Sequence, residues 1–242
     1  MMKFKILIAL ALLLSFCSNA QILYSYPKGQ DFYEGGRDAF FKEVVFTALN
    51  NKLKACDKSE ALLMRFVVYP DNSVKYVADN DSTAVANNKC LKDKMLEIVK
   101  TMKKFKPAEE DGKKYAAMFF GTFTDDMLRG NYSSREDFAM PVYIHKGKEG
   151  GIEKFREKFA NCFDTNGFKP VGNEYSFTLN FDVHTNGETG FFHMNNISDL
   201  KSFNEMVVKC AANTKKSYWK PGNYKGIPIK QIFKMPVKFS NN

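Results

Sequence analysis

Trp219-Lys220-Pro221-Gly222, then Asn223-Tyr224-Lys225-Gly226, then an alternating run from Ile227 to Phe239 close the chain. This stretch decides the fold because it occurs twice: a weaker copy runs from Phe105-Lys106-Pro107 to Phe123. Trp219-Lys220-Pro221 follows Phe105-Lys106-Pro107 by 114 residues, and Gly226 follows Gly112 by the same interval. Further out, Glu149-Gly150-Gly151-Ile152-Glu153-Lys154-Phe155 repeats Glu34-Gly35-Gly36-Arg37-Asp38-Ala39-Phe40 at an offset of 115. Asn186-Gly187 repeats Asp71-Asn72, and Phe181 repeats Phe66, at that same offset. An offset that drifts by one residue over more than 70 positions marks a duplication.

Each copy reads helix, hairpin, helix, strand. In the first, Phe40, Val44 and Ala48, widened by Phe41, Val45 and Leu49, give a helical stripe and a helix over 37–54. Ala61 to Tyr69 is apolar and β-branched, Pro70-Asp71-Asn72-Ser73 is turn chemistry, and Val74 to Ala78 completes a hairpin. Asp79 to Asn88 reads as polar loop. Leu91, Met95, Ile98 and Met102 mark a second helix, and Tyr115 to Phe123 alternates as a last strand.

In the second copy, Ile152, Phe155, Phe159 and Phe163 form the first stripe, and Phe203, Val207 and Cys210 the second. Between them Glu174 to His184 alternates apolar Tyr175, Phe177, Leu179, Phe181 and Val183 with polar Ser176, Thr178, Asn180 and Asp182. That pattern is a strand with one solvated face. The expected fold class is α+β: two tandem modules, each a three-stranded antiparallel sheet with two helices on one face. The expected bounds are 26–124 and 142–240, joined by a polar linker over 125–141 that carries a short helical turn.

The first residues point to export. Met1-Met2-Lys3-Phe4-Lys5 is positive, Ile6 to Phe16 is apolar, and small residues Ser18 and Ala20 follow, as in a secretory signal cut after Ala20. The apolar run is too short for a bilayer core, which needs about 20 helical residues. Bulky Phe16 disfavours lipoprotein processing at Cys17. A periplasmic or otherwise exported protein without a transmembrane segment in its mature chain is expected.

Cys56, Cys90, Cys162 and Cys210 remain, an even number in an exported chain. Three pairings are open, and the repeat favours Cys56–Cys90 and Cys162–Cys210, one bridge per copy.

These residues resemble the C-terminal domain of TonB, the periplasmic energy transducer of Gram-negative bacteria. The second copy is the better match, through Gly150-Gly151 and Phe155, the Phe181 to Gly187 strand and turn, and Trp219-Lys220-Pro221-Gly222 with Gly226, Phe233, Pro236-Val237 and Phe239. The first keeps Gly35-Gly36, Phe40, Phe66-Val67-Val68, Asp71, Pro107, Gly112 and Phe119. It has Phe105 where the family favours Trp, Ala108 where it favours Gly, and Thr122 where Pro236 stands. The chain lacks the Pro-rich spacer of a transducer, so energy coupling is not carried over. What the resemblance implies is a mode of contact, in which the last strand docks a short peptide of an outer-membrane receptor.

Pro236 supplies an independent reason. Proline cannot donate to a ladder and is confined to edge strands, so Ile229 to Phe239 reads as an edge. Free edges invite strand addition. The contact residues expected there are Ile229, Lys230, Gln231, Ile232, Phe233, Lys234, Pro236 and Lys238. The same lysines and proline also serve as devices that blunt an edge against aggregation.

Trp219, the single tryptophan, reads as core. His184 lies near Asp182 and Glu188, but His145, His184 and His193 show no spacing suited to a metal. No nucleophile elbow or phosphate loop is present. Lys103-Lys104-Phe105-Lys106, Lys113-Lys114 and Lys215-Lys216 suit either solvated helix ends or a polyanion.

The expected function is a non-catalytic envelope binding or adaptor protein, without cofactor or metal. Its partner is a protein or peptide of the envelope, an outer-membrane receptor involved in transport among the candidates, and not nucleic acid. The alternative is a scaffold whose modules pair with each other or form a homodimer, with no transport role.

Overall fold

The computed structural model describes residues 22–132, 135–163, 174–195, 201–213 and 217–240. The leader reading therefore lies outside the described residues, as does Lys215-Lys216. The described chain is α+β.

In chain order, β1 (Ile22–Leu23) leads to α1 (Gly36–Asn50), β2 (Ala61–Val68), β3 (Val74–Val77), α2 (Ser82–Asn87), α3 (Lys89–Thr101), β4 (Ala108–Glu110) and β5 (Lys113–Thr124). Two 3₁₀ turns, Asp125–Arg129 and Arg135–Asp137, follow. Then come β6 (Phe138–Ala139), β7 (Val142–His145), β8 (Lys148–Glu149), α4 (Gly151–Cys162), β9 (Glu174–Val183), β10 (Thr189–Asn195) and α5 (Lys201–Ala211). The last strands are β11 (Ser217–Lys220), β12 (Gly222–Tyr224), β13 (Ile227–Ile229) and β14 (Gln231–Ser240).

The duplication is present in the sheets. The first copy orders its strands β1-β5-β2-β3, with β4 also paired to β5. The second orders them β10-β9-β14. Thus β5-β2-β3 and β14-β9-β10 are the same three-stranded arrangement. The hairpin turns agree atom by atom. Asn72 and Gly187 both have positive φ, 65° and 83°. The Asp71 carboxylate accepts from Ser73 N, and Asn186 Oδ1 accepts from Glu188 N, each at 2.9 Å. Gly187 is required on two grounds: its φ, and a Cβ that would stand 2.1 Å from the Trp219 carbonyl oxygen. Asp111-Gly112 and Lys225-Gly226 likewise share paired positive φ values, the mark of a tight hairpin turn.

The aromatic cores repeat as well. Phe66 stacks on Phe119 at 5.2 Å, and Phe181 on Phe233 at 5.4 Å. Tyr33 meets Phe40, and Tyr143 meets Phe155, edge to face at 5.4 Å and 72° in both copies. Phe105 and Trp219 hold matching places beside Phe119 and Phe233. Trp219 is buried in the core as expected, and it sits on β11, which pairs with β7. In the second copy, α4 and α5 supply Phe155, Phe159, Phe203 and Val207 to the core face of β9. Each apolar side chain so buried contributes about 1.5–3 kcal/mol.

Both bridges are as the repeat favoured, Cys56–Cys90 and Cys162–Cys210. No helix among the described residues is long and apolar enough to cross a membrane. The two disulfides are consistent with an exported protein.

Some elements differ from expectation. Helix α1 stops at Asn50, four residues early, because Lys52 turns left-handed (φ 52°) and Leu53 N closes on the Ala48 carbonyl. The stretch 79–88, read as loop, contains α2, whose N-cap is Asp81: its carboxylate accepts from Ala84 N at 2.9 Å. The expected linker is ordered where described, with Asp125, Met127 and Leu128 buried and β6 paired to β12.

Contacts divide the described chain into two compact units. One spans Met1–Val44, Arg65–Ala78 and Val99–Phe120, and the other Val45–Met64, Asp79–Ile98 and Gly121–Asn242. These units are not the two sequence copies. Part of the first copy groups with the second through polar contacts within the larger unit. Glu60 N donates to the Asp125 carboxylate at 3.2 Å, and Thr185 N to the Asp81 carboxylate at 3.0 Å.

Candidate functional site

Among the described residues the last strand ends its sheet, and its sequence explains how it does so. In β14, Phe233, Met235 and Val237 point into the core, while Lys234, Pro236 and Lys238 are exposed on the other face. Pro236 stands opposite Thr178 of β9. Thr178 N donates to Asn195 Oδ1 at 3.0 Å, so the polar backbone groups of Thr178 face β10 and not β14. Pro236 therefore occupies a position whose N–H, had it one, would point away from β9. Antiparallel alternation places the backbone groups of Ile232, Lys234 and Lys238 on that same outer side. The proline costs no ladder bond, which is why a ten-residue strand tolerates it.

The eight expected contact residues do not form one surface. Ile229 is buried in a small cluster with Ala61 and Tyr224. Lys230 is buried, with 2% of its surface accessible. Both are withdrawn from contact, which corrects the expectation for them. Phe233 packs against the core and stacks on Phe181, so its side chain belongs to the sheet's interior. Gln231 is half-buried and donates from Nε2 to the Ala139 carbonyl at 3.2 Å. Ile232, Lys234, Pro236 and Lys238 remain on the outward face.

The expected single strand is also broken. Strand β13 ends at Ile229 and β14 begins at Gln231. The repeat places Lys230 opposite Ala116, which lies inside an unbroken β5. At Lys230 the chain leaves the ladder because a buried ammonium has to find anionic partners. Its Nζ donates to the Asp79 carboxylate and, at 2.8 Å, to Asn80 Oδ1, and lies 3.4 Å from the Asp182 carboxylate.

This polar core was missed in the sequence. Asp79-Asn80-Asp81 read as solvated loop, and Asn180 and Asp182 as the wet face of β9, yet Asn180, Asp182 and Asp81 are buried. The alternation gave no signal, because Lys230 shares the parity of Ile232, Lys234 and Lys238, the outward face of the run.

Asp81 also accepts from Thr185 Oγ1 at 2.9 Å. Burial pushes its carboxyl up, but the hydrogen bonds from Thr185 and Ala84 outweigh burial and hold it below the usual range. A depressed folded-state pKa gives stability that is present above the unfolded value, near 4, and is lost as pH falls through the folded one. Asp81→Asn is therefore expected to lower stability at pH 7 and to flatten the acid limb of a stability–pH curve. An unchanged limb would show that Asp81 contributes nothing to acid sensitivity.

Other polar clusters have structural explanations. Cys56, Glu60 and Cys90 lie within 4.8 Å of one another, but the sulfurs are bonded together. The Glu60 carboxylate accepts from Leu91 N at 2.8 Å in the first turn of α3. His145 Nδ1 lies 2.7 Å from Ser217 Oγ, a contact across the β7–β11 pair. His184 is half-buried against the Asp81 and Lys230 group, and burial, then Lys230, pushes its pKa down.

Compared with protein-family models, with curated proteins and with solved structures, the chain matches none.

Proposed function

We propose that this chain is a non-catalytic envelope adaptor that binds an extended peptide of a partner protein along the outer edge of β14. The observation that carries this reading is the place of β14 at the end of its sheet, with Pro236 turned so that the ladder to β9 is complete. An incoming strand would meet the outward backbone of Ile232, Lys234 and Lys238, with Pro236 offering a carbonyl alone. The exposed lysines favour an acidic segment.

The resemblance of the second copy to the TonB C-terminal domain supports the same mode of contact. It brings in a periplasmic setting, export through a leader cut after Ala20, and an outer-membrane transport receptor as partner. The modules of this reading are 26–124 and 142–240.

A photo-crosslinking residue placed at Lys234 or Lys238 in cells tests it, with one at buried Lys230 as control. Capture of an envelope protein from the two outer positions, and not from Lys230, is the expected result. Lys234→Pro sharpens the test, because proline offers no N–H to an incoming strand. It is expected to abolish capture from the Lys238 position. Capture of a second copy alone would favour a scaffold that dimerises, and capture of nothing would remove the docking reading.

A further inference from the structure

A second feature lies away from β14. The hairpin of β7 and β8 turns at Lys146-Gly147, where φ is 51° and 75°. Together with the start of α4 it encloses an open cavity of about 380 Å³. Its lining is His145, Lys146, Lys148, Glu149, Gly150, Lys154 and Lys158. Four lysines thus converge on one concavity against a single carboxylate. Glu157 engages the Lys154 ammonium from outside the lining, at 2.6 and 2.7 Å. The lysines act on His145, whose ring is held below its ordinary range first by burial, then by Lys158, Lys146 and Lys154, with Glu157 opposing.

The other copy shows that this charge is not a by-product of the fold. Tyr33 bridges Phe105 as Tyr143 pairs with Trp219, so the two tyrosines are equivalent. Tyr33 stands two residues before Gly35, whereas Tyr143 stands seven before Gly150. The extra residues, 144–148, make most of the hairpin and include Lys146 and Lys148, whereas Glu149 is the counterpart of Glu34. The first copy's cavity beside Gly35-Gly36 is larger, about 560 Å³, and has the opposite character. Asp31, Glu109 and Asp111 line it against Lys106. The two cavities share only the loop before the glycine pair, since residues from Lys106 to Gly112 close the first and Lys154 and Lys158 of α4 close the second; the insertion belongs to the basic one.

We propose that the cavity of His145, Lys146, Lys148, Lys154 and Lys158 binds a multiply charged oxyanion of the phosphate class. Lys148 and Lys158 approach from β8 and α4, so they would clamp the anion from two elements. Glu149 disfavours it and limits affinity for a singly charged species. The ring of His145, bonded through Nδ1 to Ser217, would become a further donor on protonation.

The three histidines of the chain make this measurable. Pyrophosphate is titrated into the full-length mature protein while the ring resonances of His145, His184 and His193 are followed by NMR across pH. Bound anion favours the imidazolium, so the His145 pKa is expected to rise while the other two stay in place. Lys148→Gln with Lys158→Gln should weaken binding about tenfold, and Glu149→Gln should strengthen it. Sodium chloride at matched ionic strength only screens the lysines and should raise the His145 pKa far less than pyrophosphate does. Equal movement of all three rings, the same response to chloride, or undiminished binding by the double variant would overturn the proposal.

Vesicles containing phosphatidylglycerol distinguish the source of the phosphate. Vesicle binding lost in the double variant, alongside pyrophosphate binding, assigns it to a lipid headgroup. Pyrophosphate binding without vesicle binding assigns it to a free anion. Binding of neither overturns the site.

Discussion

Lys230→Met is expected to destabilise the protein by about 3–5 kcal/mol, the cost of leaving buried carboxylates without their cation. The Lys230 side chain is 1% exposed, that of Asp79 3%, and that of Asp182 0%. Methionine fills a similar volume and keeps the stem's apolar contacts, so the loss reads the charge. Asp79 and Asp182 would then be buried without their cation, and Asn80 Oδ1 would lose the Lys230 ammonium. The triple variant with Asp79→Asn and Asp182→Asn is expected to recover most of the loss, because neutral amides are cheaper to bury than carboxylates. The first copy supports that recovery: it carries buried Ala116 at the matching position of an unbroken strand. Urea unfolding with an unchanged m-value is the measurement. A loss below about 1 kcal/mol for the single variant would mean that the pair contributes little beyond its own desolvation.

Loss of the disulfides is expected to have the larger total effect. Cys56–Cys90 closes a separation of 34 residues and Cys162–Cys210 one of 48. In the chain-entropy picture each is worth about 3–4 kcal/mol. The two together approach the whole stability of an ordinary domain, about 5–15 kcal/mol. Cys162→Ser with Cys210→Ser should release α4 from α5 and lower the midpoint strongly, since both helices hold aromatic side chains of the second core. Cys56→Ser with Cys90→Ser should act comparably on the start of α3. Removal of both pairs should leave the chain largely unfolded at 37 °C, by circular dichroism and by proteolysis. A quadruple variant that melts within a few degrees of the native protein would refute the assignment of stability to these bridges.

Much of the fold was legible because the chain carries its own comparison. The repeated Phe40/Phe155, Phe66/Phe181 and Phe119/Phe233 positions fix which faces meet, and glycine or asparagine at the turns fixes where strands reverse. Pro236 made the edge legible through one rule, that proline cannot sit between two bonded neighbours. The basic cavity was not legible, because Lys146, Lys148, Lys154 and Lys158 come from a hairpin and a helix, and only folding brings them together. Nor was α2, whose Asp81 cap was hidden in a run of polar residues.

The sequence by itself determined the duplication and the α+β order, and it favoured one pairing of the cysteines and an edge position for the last strand. Each follows from local periodicity, turn chemistry or comparison of one half with the other. Tertiary structure alone decided what happens at Lys230, where an alternating run that should continue as one strand divides in two. A lysine's place in a pattern does not say where its ammonium finds anions; here Asp79 lies 151 residues away along the chain. It also decided how residues group into compact units, because Glu60 ties part of the first copy to the expected linker and Asp81 ties it to the second copy. Electrostatic partners at long sequence separation have no period, and so they become visible only once the chain is folded.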